Sequence, residues 1–181
     1  SKDGRITVVG TTTSSDLPLP EGSASAYRGR SDVFVFGLSP DGLRLNSCLY
    51  YGGTGNDEAG DAALDAKESI VLTGSTTSTD LPQAGAGTSN ATLGAEDVFL
   101  ATVTSSEVLY STVMGWMGSD KSTSMALDVR GDVFLAGTTT STLPGQALAA
   151  NTDGWVAKWA YGTLAFRNPA AGSVFCTGSQ V

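Results

Sequence analysis

The chain has 181 residues, 40% of them hydrophobic, enough to bury a sizeable core, and size scaling places that core in one domain. Its formal net charge of −8, with ten scattered basic residues, excludes the clustered Lys and Arg that nucleic acid or an anionic membrane surface requires. The absence of His excludes a Ser-His-Asp triad, a Cys-His pair and an imidazole metal site.

No apolar run approaches the length of about 18 residues expected of a membrane span, and the opening Ser1-Lys2-Asp3-Gly4 is not a signal peptide. Abundant Gly, Ser and Thr suit turns and strands. Sustained apolar spacing at i, i+3, i+4 and i+7 is missing, so no substantial helix is predicted.

In chain order, the first predicted strand leads into Val9-Gly10-Thr11-Thr12-Thr13-Ser14-Ser15-Asp16-Leu17-Pro18. It is followed by Asp32-Val33-Phe34-Val35, then Leu45-Asn46-Ser47-Cys48-Leu49, then Ala63-Leu64-Asp65. The set then returns. Gly10 is followed 64 residues later by Gly74 in Thr73-Gly74-Ser75-Thr76-Thr77-Ser78, and 63 later by Gly137 in Ala136-Gly137-Thr138-Thr139-Thr140-Ser141. Asp97-Val98-Phe99-Leu100, Leu109-Tyr110-Ser111-Thr112-Val113 and Ala126-Leu127-Asp128 repeat the other runs, and Asp153-Gly154-Trp155-Val156 is a looser third copy.

A fixed period dominates any strand-by-strand reading. It predicts one all-β domain over residues 1–181, with units at about 5–69 and 70–132 and a partial third at 133–181. Four short antiparallel strands per unit make one β-propeller blade. The apolar runs Val33 to Phe36 and Val98 to Ala101 fit strands covered on both faces. The last unit is short, and residues 173–178 resemble the start of another unit with its Ala-Leu-Asp strand lost.

With these blocks in place, the chain resembles the SBBP-type β-propeller repeat family. The resemblance rests on Tyr51-Gly52-Gly53-Thr54-Gly55-Asn56-Asp57-Glu58, Val71-Leu72-Thr73-Gly74-Ser75-Thr76 and Asp97-Val98-Phe99-Leu100-Ala101. It covers most of the chain, departing at Gly115-Trp116-Met117-Gly118-Ser119-Asp120 and in the third unit, which lacks the acidic loop. It implies export, an extracellular or cell-surface place, and no catalytic residue.

A propeller closes with roughly four to eight blades, and just under three are present here. The ring would be completed by other domains of a larger chain, by a second copy, or by strands exchanged at the open edges, residues 5–13 and 173–178. A contact of the last kind gives a filament unless its rotation closes.

Asn56, Asp57, Glu58 and Asp61 gather hard oxygen donors that suit Ca²⁺ if they converge, although a solvated turn explains them more simply. No other cofactor is expected. Asn90-Ala91-Thr92 fits an N-glycosylation acceptor. Cys48 and Cys176 either form one disulfide or stand as buried thiols. Asp32, Asp97 and Asp153 recur at strand entries, where a carboxylate accepts backbone N–H groups. Trp116, Trp155 and Trp159 suit core packing better than a sugar-stacking face. Arg130-Gly131-Asp132 spells an adhesion tripeptide at a position where the preceding unit has a turn.

The composite expectation is a non-catalytic extracellular assembly subunit, joined to itself as an oligomer or filament. The alternative is a carbohydrate- or ligand-binding propeller domain of a larger secreted protein, using residues 53–61 and 79–96. Last comes a carboxylate hydrolase drawing on Asp57, Glu58, Asp61 and Asp80.

Overall fold

The computed structural model describes residues 1, 3–19, 25–85, 92–142, 151–160, 163–167 and 175–178, with side chains as far as residue 159. Its first strands are β1 (Ile6–Thr12), β2 (Asp32–Leu38) and β3 (Leu45–Tyr51). Next come β4 (Asp57–Leu64), β5 (Ile70–Thr76), β6 (Asp97–Val103) and β7 (Val108–Met114). The last are β8 (Asp120–Leu127), β9 (Val133–Thr139), β10 (Asp153–Ala160), β11 (Thr163–Arg167) and β12 (Phe175–Gly178). Among the described residues there is no helix, and neighbouring strands pair antiparallel in three sheets, ordered β1-β2-β3, β4-β5-β6-β7 and β8-β9-β10-β11-β12.

The sheet boundaries fall one strand earlier than the sequence units. The Ala-Leu-Asp strand, read as the last of its unit, is the first strand of the following sheet: β4 pairs with β5, Asp57 opposite Thr76 and Leu64 opposite Ile70. β8 pairs with β9 in the same register. A tight turn fixes this arrangement. The Asp65 carboxylate accepts the N–H groups of Lys67 and Ser69, both at 2.8 Å, and Glu68 takes a positive φ of 64°. At the matching turn Asp128 accepts from Arg130 and Asp132, and Gly131 takes φ 85°. The chain's end differs too. β12 does not open a new sheet but pairs with β11, Leu164 opposite Gly178, which satisfies backbone groups along that edge.

Strand alternation divides the core in two. Val33, Val35, Leu49 and Tyr51 of the first sheet meet Leu72, Phe99, Ala101 and Val103 of the second. The opposite face of the second sheet, with Val71, Val98 and Leu100, meets Leu135, Trp155, Ala157 and Trp159 of the third. The middle sheet is thus covered on both sides, and every residue of β5 is buried. Burial of one such side chain as Phe99 contributes roughly 2 to 3 kcal/mol.

The flanking sheets keep one face partly open. Phe34 and Phe36 of β2 are only half-buried, and Val8 beside them is 37% exposed. On the far side, Phe134 and Val156 are 38% and 36% exposed, with the Lys158 ammonium 5.2 Å from the Phe134 ring centroid. The expectation that both faces of the Asp-Val-Phe strand are covered holds for β6, whereas β2 has a neighbouring sheet on one face.

Candidate functional site

Consecutive sheets are stitched where the chain passes from one to the next. Residues 52–56, between β3 and β4, lie between the two sheets they connect. The Arg30 N–H donates to the Gly55 carbonyl at 2.8 Å, the Asp57 N–H to Ser31 at 2.8 Å and the Thr77 N–H to Asn56 at 2.9 Å. The next crossing repeats the pattern with Ala95 to Gly118, Asp120 to Glu96 and Thr140 to Ser119.

At the centre of each junction is a fully buried aspartate in a cradle of hydroxyls. Asp57 accepts from the Thr76 hydroxyl at 2.5 Å, the Ser78 hydroxyl at 2.8 Å and the Gly53 N–H at 2.8 Å. Asp120 likewise accepts from Thr139, from Ser141 at 3.4 Å and from the Trp116 N–H at 2.7 Å. Each cradle threonine also accepts an N–H, from Ser78 at 2.9 Å and from Ser141 at 2.8 Å. Burial pushes the Asp57 carboxyl above its ordinary range despite these donors.

A second buried aspartate flanks each first one. Asp32 accepts the Arg28 and Gly29 N–H groups at 2.8 and 3.2 Å, and Asp97 those of Leu93 and Gly94 at 3.0 and 3.3 Å, as the strand-entry reading requires. Burial raises both, and the charges of Asp57 and Asp120 add to the effect. Gly52 separates Asp32 from Asp57: a Cβ there would lie 2.6 Å from one carboxylate and 2.9 Å from the other.

The proposed Ca²⁺ ligands do not converge. They lie largely on a strand, where successive side chains point to opposite faces, rather than in an open loop. Asp57 is enclosed in its cradle, Glu58 lies 3.7 Å from the Lys121 ammonium, and Asp61 accepts the Met125 N–H of β8 at 2.8 Å. Asn56 gives its backbone carbonyl to Thr77. Among the described residues, no three acidic or thiol groups are placed to hold a metal. Asp80, the fourth candidate for hydrolysis, is bonded to Thr54 and paired with Arg28 at 3.2 Å, and its charge adds to the upward shift of Asp57.

Cys48 is a free, buried thiol on β3, and the Cys176 side chain lies outside the described residues, as does Asn90. In the Arg130-Gly131-Asp132 turn, the Asp132 carboxylate is buried and paired with Lys158 at 2.6 Å, so the tripeptide is not presented. Trp155 and Trp159 are core residues, and Trp116 packs beside them.

Two features escape a sequence reading. One is the Glu96 clasp, whose carboxylate accepts from Ser75 and Ser119, both at 2.8 Å, and pairs with Lys121 at 2.8 Å. Burial opposes ionisation there, but these partners hold the carboxyl below its usual range. The other is a cavity of about 500 Å³ between β1 and β4, lined by Thr7, Val9, Gly10 and Thr11 on one side and by residues 59–64 on the other. The cradles did leave a signal, an Asp 19 residues before each of the sequences Thr76-Thr77-Ser78 and Thr139-Thr140-Ser141.

No helix among the described residues is long and apolar enough to cross a membrane. No protein-family model matches the chain, and no curated protein matches it.

Proposed function

We propose that the three sheets are successive blades of a β-propeller, and that the chain is a non-catalytic structural subunit of an extracellular or cell-surface assembly. The resemblance to SBBP-type repeats supports the blade and export readings. The observation that carries the assembly reading is the contrast between the middle sheet, covered on both faces, and its neighbours, each covered on one.

The contrast has a direction. Each interface joins the Val33 or Val98 face of one sheet to the Phe99 or Trp155 face of the next. The free face of the first sheet carries Phe34 and Phe36, and that of the third carries Phe134 and Val156, so one end of a copy offers the type of face that the other end accepts. Such head-to-tail contacts close into a ring or continue as a filament, according to the rotation between copies.

Light scattering with negative-stain imaging tests this. Multiples of the 18.4 kDa chain, as rings or filaments, are expected, with Phe134→Lys reducing them. A particle that stays at 18.4 kDa at every concentration overturns the reading.

A further inference from the structure

We infer that the free edge of β1 is a seat for one kind of strand, an eight-residue segment that begins with aspartate and ends in Ala-Leu, contributed from outside residues 1–181. This deepens the assembly reading and rests on it, because it names the partner for the first sheet's open edge.

The other two sheets show what the seat holds. In each, an edge strand pairs with the Gly-Thr-Thr strand: Asp57-Glu58-Ala59-Gly60-Asp61-Ala62-Ala63-Leu64 on β5, and Asp120-Lys121-Ser122-Thr123-Ser124-Met125-Ala126-Leu127 on β9. The registers agree: Asp opposite Thr76 or Thr139, a bulge at the fourth residue, Leu opposite Ile70 or Val133. Among the described residues, the first sheet has β1 at its edge and no such strand.

The receptor parts are nevertheless present on β1. Thr12 corresponds to Thr76 and Thr139, and Ser14 to Ser78 and Ser141. The Ser14 N–H donates to the Thr12 hydroxyl at 3.0 Å, as in both filled cradles. Thr12 stands opposite Asp32, as Thr76 stands opposite Asp97 and Thr139 opposite Asp153. Among the described residues, no aspartate occupies the place held by Asp57 and Asp120.

Gly10 makes the same point sterically. A Cβ at Gly74 would overlap the Glu58 carbonyl oxygen, and one at Gly137 the Lys121 carbonyl oxygen, so those glycines are required by the incoming strand. Among the described residues, the three atoms nearest a Cβ at Gly10 all belong to the Phe34 ring, the closest at 2.8 Å, where Gly74 and Gly137 have a strand carbonyl. The cavity of about 500 Å³ lies here, between Gly10 and the β4 bulge. Across the filled seat, Asp61 accepts the Met125 N–H of β8. The matching donor beside the empty one, the Ala62 N–H, turns to its own neighbour Asp61.

The donor is not a second folded copy of this chain, since both of its matching segments are locked in their own sheets by Asp57 and Asp120. A segment of this pattern outside residues 1–181, in the same polypeptide or in another, supplies it by pairing along β1.

The probe is a fluorescent peptide of residues 55–67, titrated with the whole chain and followed by anisotropy, while hydrogen exchange reads the amides of β1. Saturable binding is expected, with new protection confined to β1. Asp57→Ala in the peptide, or Thr12→Val or Gly10→Val in the chain, weakens it by about tenfold or more through loss of the charge-assisted bond or of the space for the bulge. Val129→Ala, at a fully exposed position between β8 and β9 of the third sheet, leaves binding unchanged, and circular dichroism establishes that each chain variant is folded. No binding, or equal binding of the Asp57→Ala peptide, overturns the seat. This readout is independent of particle mass, so a chain that assembles but ignores the peptide loses the seat and keeps face stacking, and a monomer that binds it does the reverse.

Discussion

Replacing Thr76 with Val removes one hydroxyl and little volume, so it isolates the cradle's polar chemistry. That hydroxyl donates to a fully buried carboxylate at 2.5 Å and accepts the Ser78 N–H at 2.9 Å. A hydrogen bond to a charged group contributes about 1.5 to 3 kcal/mol, and a buried N–H left without a partner adds to the cost, giving about 3 kcal/mol for Thr76→Val. With a urea m-value of about 2 kcal/mol/M, the midpoint falls by about 1.5 M. Thr139→Val should match it. Thr12→Val, the same change where no aspartate is bound, should cost under about 0.5 kcal/mol in the chain alone. Urea unfolding followed by tryptophan fluorescence measures all three. Equal losses at Thr12 and Thr76, or no loss at Thr76, would refute the view that the buried aspartates clamp the sheets.

Burial raises the carboxyls of Asp32, Asp57 and Asp97, so their stabilising contribution is full below the unfolded value of 3.8 and is lost as pH rises through the folded values. Asp80, Glu96 and Asp128 are held low by their partners, and their contribution is lost as pH falls below the ordinary carboxyl range. Urea midpoints should therefore peak near about pH 4, and a steady rise to neutrality would contradict this. Gly137→Ala drives a methyl group into the Lys121 carbonyl and should cost about 2 to 3 kcal/mol, against under about 1 for Gly10→Ala, both read by urea midpoint. Burial raises the Cys48 thiol, so it should react with a thiol reagent only after unfolding; rapid labelling of the native chain at Cys48 would place it at the surface.

Strand positions were legible in the sequence because each buried run alternates or is wholly apolar between Gly- and Asp-rich turns, as at Val98 to Ala101 and the Asp65 turn. The sheet boundary was not. A periodic sequence has no marked origin, and only pairing shows that Asp57 to Leu64 begins a sheet rather than ending one. The Asp57 cradle was hidden for a related reason. Beside Gly55, Asn56 and Glu58 the residue reads as part of a solvated acidic turn, whereas its partners Thr76 and Ser78 are 19 and 21 positions away. Asp61 points to Met125, 64 residues on, one full period along the chain.

The displacement of sheet from sequence unit governs how such a chain tolerates gain or loss of material. Excising one whole period leaves a properly strung series of sheets wherever the cut begins, because the two new neighbours are equivalent positions. Breaking the chain is different. A break within residues 52–56 separates complete sheets, whereas a break in the Asp65 turn orphans β4 and leaves β5 as a bare margin like that of β1. Duplication is therefore indifferent to its endpoints, but proteolysis is not: a nick at one connection gives blunt pieces, and at the other a matched tongue and slot.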